Sequence, residues 1–407
     1  MLSKANFPGI DAAKLSDEFR AELIAIADWW IQYSIDHERG GFYGEVGADN
    51  KPVLTASKGI ILNARILWFF SETAIEIKDA RYRAAAERAY DYLCEYFVDP
   101  LYGGVYWELD ADGKPLNTKK QVYAQAFTIY ALTAYYRLTN DKQALSHAMA
   151  CFELLESKTI DCRQEGYLEA FSRSWGELDD IRLSEKDLNF PKSQNTHLHV
   201  LEAYTTLYQV QPSAQVREAL RYNIRMFDKY MIDTETYHLR MFMDENWRDF
   251  SPGFTYGHDI EASWLIAKAL ESLGDAEYTA ALMPTLVKIA EATMTEAIGA
   301  HGHVIDAFDF ASRTQLPDIV WWVQAEALVG FLFAWRESGN EKFLATALGV
   351  WEFIKRYQID RDNGEWFWLS TLDKPQENPY YKVGFWKCPY HNGRAMMEAT
   401  RYLQNGR

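Results

Sequence analysis

Cysteine is scarce in this chain of 407 residues: Cys94, Cys151, Cys162 and Cys388 are the only four, and no two stand at a metal-type spacing. So few thiols in so long a chain form no disulfide framework, and reduced cysteines are expected. Positive charge is in deficit as well, with 42 Lys and Arg against 58 Asp and Glu and a formal net charge of −16. Phosphate backbones and anionic membranes are held by clustered cations, so nucleic-acid and membrane partners are not expected and a neutral or cationic ligand fits better. No segment reaches the roughly 18 apolar residues of a membrane span. The opening M-L-S-K-A-N-F-P-G-I lacks a basic start followed by an apolar run, and a soluble, cytoplasmic protein is expected. Glycine-rich phosphate loops, a G-x-S-x-G elbow, a helical H-E-x-x-H and any linker rich in Pro, Gly or Ser are also lacking. These absences argue against nucleotide chemistry, serine hydrolysis and a split into two domains.

What is plentiful is aromatic surface: 14 Trp, 25 Tyr and 22 Phe. Such side chains fill a core or stack on a ligand such as a sugar, and core is the default for most of them. The chain is also periodic. Short glycine-led or alternating segments near 40, 103, 165, 237, 302 and 363 recur about every 65 residues, each separated from the next by two helical stretches. The helices starting near 56, 120, 193, 257, 319 and 391 are apolar with isolated polar residues, as expected of inner helices. Their partners, such as those at 80–97 and 213–231, carry a regular charged face. The first helix, 12–35, lacks a partner until the last, 391–405, arrives. Pairing the two closes six hairpins into a ring of twelve helices, an all-α (α/α)6 barrel forming one domain over residues 1–407.

Four loop-to-helix junctions bring polar residues to the starts of inner helices: K-S-Q-N-T-H-L-H-V-L-E-A-Y from Lys192, Y-G-H-D-I-E-A-S-W-L from Tyr256, W-W-V-Q-A-E-A-L from Trp321 and W-K-C-P-Y-H-N-G-R from Trp386. Asn195 and His199, four apart, share a helix face, whereas His197 points elsewhere. His258 and Glu261 share a face too, so Glu261 is placed to orient that imidazole or to accept a ligand hydroxyl. Histidine works as acid or base near neutral pH, and a helix N-terminus favours its neutral form. Arg65, inside I-I-L-N-A-R-I-L-W-F-F, is costly to bury unpaired and is expected to face the lumen, toward a ligand oxygen or a carboxylate. His197, His199, His258, Glu261 and His391 contain enough ligands for a metal, but the two histidines of H-L-H diverge and no metal is expected. Asp187, Glu261 and Glu326 are available as a glycosidase pair, and their spacing singles out none.

Together, in that order and at those separations, the four junctions resemble the N-acylglucosamine 2-epimerase superfamily, and within it the cellobiose 2-epimerases, from about residue 20 onward. The resemblance implies an (α/α)6 barrel without an organic cofactor that inverts C2 of the reducing-end glucose of cellobiose or lactose. By motif matching it makes His258 and His391 the two acid/base residues. Arg65, Asn195, His199 and Glu261 hold the open-chain sugar, with Tyr123, Trp321 and Trp322 as further substrate-binding residues and Trp386 as an aromatic wall. Asp187 falls where disaccharide epimerases meet the second sugar, although Phe190, Pro191 and Gln194 depart from the pattern there. Relatives that epimerise or isomerise free mannose share much of the pocket. An oligosaccharide hydrolase or a sugar-binding scaffold on the same barrel are the competing classes. A small-molecule sugar is the one partner implied, in a monomer or homodimer.

Overall fold

The computed structural model describes residues 11–372 and 380–404. The first ten residues, and position 405 at the expected end of the last helix, lie outside the described residues. Helix α1 (Ala12–Ser34) is followed by five helical hairpins: α2 (Ile60–Ile77) with α3 (Ala80–Tyr92), α4 (Val122–Thr139) with α5 (Lys142–Lys158), α6 (Gln194–Val210) with α7 (Ala214–Met226), α8 (Tyr256–Leu273) with α9 (Ala276–Glu296), and α10 (Trp321–Ser338) with α11 (Glu341–Phe353). Helix α12 (Tyr390–Gln404) comes last. The even-numbered helices touch in cyclic order, α12 returning to α2, while α1 lies on α12. Twelve helices thus form an (α/α)6 barrel, as the periodicity predicts.

The turns at one end of the barrel are short because the sequence supplies both halves of a tight stop and restart. Lys78, Asn140, Gly274 and Gly339 take the left-handed conformation that ends an inner helix. The next residues, Asp79, Asp141, Asp275 and Asn340, then cap the outer helix by accepting a backbone N–H. A cap of this kind contributes about 1 kcal/mol.

At the other end the connections are long and begin with a repeated two-residue β-bridge: Ile35 with Phe42, Val98 with Val105, Ile160 with Tyr167, Ile232 with Leu239, Ile298 with Val304 and Ile359 with Trp366. These six bridges are the glycine-led segments of the sequence. Helices α3, α7 and α11 each run into their bridge through a π turn, Leu93–Phe97, Phe227–Met231 and Ile354–Gln358. Short strands then lead into the inner helices, as where Lys58–Gly59 pairs with Glu108–Leu109. Helix α2 therefore starts at Ile60 rather than near 56, because strand pairing takes up residues that local pattern assigns to the helix.

Charged groups buried at these junctions are paired. Lys58, Lys120, Lys192 and Lys382 reach the bridge carboxylates of Asp36, Asp99, Asp161 and Asp360 at 3.2, 3.0, 2.9 and 2.7 Å. Glu365 locks the ring shut. Its carboxylate accepts from Trp30 Nε1 at 2.8 Å on α1, from Lys387 Nζ at 2.7 Å and from Asn392 Nδ2 at 2.8 Å on α12. Closure of the barrel thus fixes the segment that carries His391.

Candidate active site

Counted from the first residue of an inner helix, its second and sixth positions lie one turn apart on one face, and Arg65, Tyr123, Asn195, His199, Glu261, Trp322 and His391 from these positions line a common cavity. The sixth positions are Arg65, Phe127, His199, Glu261, Glu326 and Ala395. The second positions include Tyr123, Asn195, Trp322 and His391. Where these side chains meet the long-loop end lies a cavity of about 960 Å³. Arg65, Tyr123, Asp187, Asn195, His199, His258, Glu261, Trp321, Trp322, Trp386 and His391, all singled out from sequence, line it. Proximity gives none of them a role, and their contacts differ.

His391 is buried with Nδ1 2.7 Å from Glu326 Oε1. An ionised carboxylate only accepts, so Nδ1 carries the hydrogen and the Nε2 lone pair is left as the basic site. His199 is held the same way, Nδ1 3.0 Å from Glu202 Oε2. Among the described residues no carboxylate bonds His258; its Nδ1 lies 2.6 Å from the Thr255 hydroxyl. This corrects the expectation that Glu261 orients His258. Glu261 bonds the Arg394 guanidinium and approaches His391 Nδ1 at 4.0 Å.

Both His258 and His391 are favoured as neutral imidazoles, in the expected direction but for another reason. Burial is the largest cause, pushing His258 down to about 3, with His199 adding to it. Burial again, and then Arg65 and Arg394, hold His391 well below the usual histidine range. Trp322 stands beside both rings, its centroid 4.8 Å from His258 and 5.5 Å from His391. Gly257 makes room for it, since a Cβ there would come within 2.5 Å of the indole.

Beneath the cavity lies a cluster built on Arg394 and Glu202, two residues that sequence spacing did not single out. Arg394 bonds Glu202, Glu261 and Glu326 at once and stacks on Trp264 and Tyr390. Burial alone would raise the Glu202 carboxyl, but Arg394, helped by His199 and Tyr390, outweighs it and holds it down to about 2. Glu261 goes the other way. Burial and the neighbouring Glu326 push it up to about 7 against the pull of Arg394, and its Oε2 is buried without a partner. Arg65 bonds the Tyr123 hydroxyl at 2.8 Å and lies over the Phe127 and Tyr390 rings, with no carboxylate in ion-pair reach among the described residues. It is an uncompensated cation facing the cavity, so the ligand-oxygen alternative is the one left open to it. Asn195 Oδ1 is likewise buried and unpartnered.

Nearer the mouth, Trp386 packs with Trp107, Phe385 and Tyr123, and Trp321 lies 4.4 Å from Trp368 between ring centroids. Asp187 accepts from the Ser184 N–H and hydroxyl at 2.8 and 2.9 Å. His197 is elsewhere: its Nε2 accepts the Tyr167 N–H at 2.9 Å and its Nδ1 meets the Ser193 carbonyl at 2.7 Å. Of the five residues offered as metal ligands from sequence, Glu261 and His391 come together, and Glu326 joins them in place of the other histidines. Glu261, Glu326 and His391 bring ligand atoms within 4.8 Å of one another. Arg394 already bonds both of those carboxylates, so a cation there would face a guanidinium. The same shared guanidinium sets Glu261 and Glu326 side by side, not opposed across a glycosidic bond.

The fold and this constellation define a sugar-isomerising type of (α/α)6 barrel, and the comparisons give the family. Residues 40–391 match the N-acylglucosamine 2-epimerase (GlcNAc 2-epimerase) family, and the chain belongs to it. A cellobiose 2-epimerase from Bacteroides fragilis is 43% identical over 94% of this chain and 98% of its own length. One from Ruminococcus albus is 40% identical over 94% and 97%. The solved cellobiose 2-epimerase from Bacillus thermoamylovorans superposes with a TM-score of 0.90 at 37% identity, covering 96% of this chain and 99% of that one. The protein is an isomerase of the type these relatives represent. Among the described residues no helix is long and apolar enough to cross a membrane.

Proposed function

We propose that the protein inverts C2 of the reducing-end glucose or mannose unit of β-1,4-linked disaccharides such as cellobiose and lactose, through an enediolate and without a metal or organic cofactor. The observation that carries this reading is the pair of neutral imidazoles, His258 and His391, on different helices and opening on one cavity beside an unpaired Arg65. The relatives named above supply the substrate class.

The hydrogen on C2 becomes acidic only when the sugar ring opens, because the C1 carbonyl then accepts the electron pair of the breaking C–H bond. Arg65 stabilises the resulting oxyanion on O1. One histidine takes the C2 proton at its free Nε2, and the other, which enters the step as imidazolium with a proton taken up when substrate binds, delivers that proton to the opposite face of the carbon. No atom is gained or lost. Which histidine acts first depends on whether the glucose-type or mannose-type epimer is consumed. Glu326 holds the His391 tautomer with Nε2 free, the Thr255 hydroxyl can donate to or accept from His258 Nδ1 and so holds the ring in either protonation state, and His199 assists ring opening or binding. The free Oε2 of Glu261 and the amide of Asn195 accept sugar hydroxyls. The Glu261–Glu326 arrangement removes that pair as the opposed carboxylates of a hydrolase.

The test is incubation with cellobiose, lactose, glucose and mannose separately, with and without a chelator. A C2 epimer of the disaccharide, formed equally well after chelation, is the expected outcome. A ketose as sole product, a shorter sugar, or activity restored to the chelated protein by one divalent ion would each overturn part of the reading.

A further inference from the structure

His238 does not line the cavity, yet it sits between the two chain segments that fix His258. At the fourth position of the inner helices, Gln125, His197 and Gln324 accept the backbone N–H of their bridge at Val105, Tyr167 and Val304. These clamps carry no charge when His197 is neutral. In α8 the same position is Asp259, which accepts the Leu239 N–H at 2.8 Å with one oxygen and meets His238 Nδ1 at 2.8 Å with the other. The opposite nitrogen, Nε2, lies 3.2 Å from Glu296 Oε2 on α9, which also accepts the Tyr256 hydroxyl at 3.3 Å. The imidazole plane stacks on Phe254, centroids 3.6 Å apart and 10° from parallel. Phe254 precedes Thr255, the hydroxyl partner of His258 Nδ1, and Asp259 follows His258 directly.

We propose that His238 is a positioning residue for His258: through Asp259 and Glu296 it anchors the start of α8, and through Phe254 it sets the strand that presents Thr255. The inference rests on the reading of His258 as an acid/base of epimerisation. Because both site histidines are held neutral, neither titrates as pH rises above neutrality. His238 does. Burial alone would lower its pKa, but Asp259 and then Glu296 outweigh it and raise it above the ordinary histidine value. The cation bonds both carboxylates. Loss of the Nε2 proton turns a lone pair toward Glu296, so the clamp is whole below the ordinary histidine pKa and loosens as pH rises through the elevated one.

The experiment compares the full-length protein with His238→Gln, His238→Ala and Glu296→Gln, using cellobiose across pH 6 to 9.5, with thermal melting to confirm folding. Misplacing a reacting group by a fraction of an ångström to an ångström costs on the order of 10- to 100-fold. His238→Gln is expected to lower kcat by about tenfold with KM within about twofold, and to flatten the alkaline limb of kcat. Glu296→Gln should move that limb to lower pH. Should His238→Ala fail to fold, the other two variants carry the test. A folded His238→Gln with kcat and pH profile unchanged, even if less stable, would reduce His238 to a structural clamp like His197 and overturn the proposal alone. A wild-type protein that makes no epimer would overturn it together with the proposed function.

Discussion

The four histidines of the inner-helix starts share one side chain and differ in what touches Nδ1. A carboxylate fixes His391 and His199, a hydroxyl meets His258 and a carbonyl meets His197. General acid–base groups are worth about 10²- to 10⁴-fold in rate. His258→Ala and His391→Ala are each expected to lose epimerisation by at least about 10²-fold. A variant retaining one base can still exchange the C2 hydrogen of one epimer with heavy water without forming the other, and NMR would read this directly. Glu326→Gln should be nearly as damaging as His391→Ala, since an amide can offer N–H to Nδ1 and favour the wrong tautomer. A His391→Ala enzyme with near-normal rate would remove the mechanism. Sequence spacing was enough to bring Asn195 with His199 and to exclude His197. It could not pair Glu326 with His391 or put Arg394 among Glu202, Glu261 and Glu326, because those partners come from four different helices. Aligning the inner helices by their first residues offers one signal, since Glu326 then takes the same sixth position as Arg65, His199 and Glu261.

Among the repeated elements, the fourth residue of α4, α6, α8 and α10 ties that helix to the preceding bridge. His197 does so in α6, and it is fully buried. Burial pushes it down to about 4, and a proton on Nε2 would face the Tyr167 N–H it now accepts. The folded pKa is below the unfolded value, so the unfolded chain binds the proton more readily. The stability His197 contributes is present above the ordinary histidine pKa of about 6.5 and is lost as pH falls toward 4. His197→Ala is expected to lower the melting temperature, by a loss on the order of 1–3 kcal/mol for the orphaned N–H and the cavity. Activity per folded molecule should stay within about twofold, and the fall of melting temperature between pH 6.5 and 4 should be shallower. Calorimetry across that range, beside an activity assay, checks it. The existence of each of the twelve α-helices was legible from the apolar period. The expected starts of α2, α4, α6 and α10 fall one to four residues early because strand partners such as Glu108–Leu109 for Lys58–Gly59 lie some fifty residues away. The lysines before α2, α4 and α6 carried no local sign of being buried against Asp36, Asp99 and Asp161.

Across the whole molecule, ring closure turns six similar units into one asymmetric cavity, with Arg65, the histidines and Glu261 deep and aromatic faces nearer the mouth. On the proposed function, the second sugar unit of a disaccharide would lie against Trp386, itself packed on Trp107 and Phe385, with Asp187 lining the same cavity. Asp187 spends one oxygen on Ser184, and the other has no bond among the described residues. It is left to accept a hydroxyl. Binding energy from a remote sugar can be used to hold the reacting carbon in place, so it raises the rate as well as affinity. Cellobiose and lactose are therefore expected to exceed glucose and mannose in kcat/KM. An aromatic contact contributes about 0.5–1.5 kcal/mol beyond its burial, so Trp386→Ala should cost the disaccharides up to about tenfold more than the monosaccharides. Asp187→Asn should act in the same sense and more weakly, since the amide still offers an oxygen. Steady-state kinetics on the four sugars with these two variants decides the matter: if free mannose is the far better substrate of the wild-type protein, or if Trp386→Ala affects both sugar sizes alike, the outer cavity does not select the second sugar, and specificity must reside in the deep pocket alone.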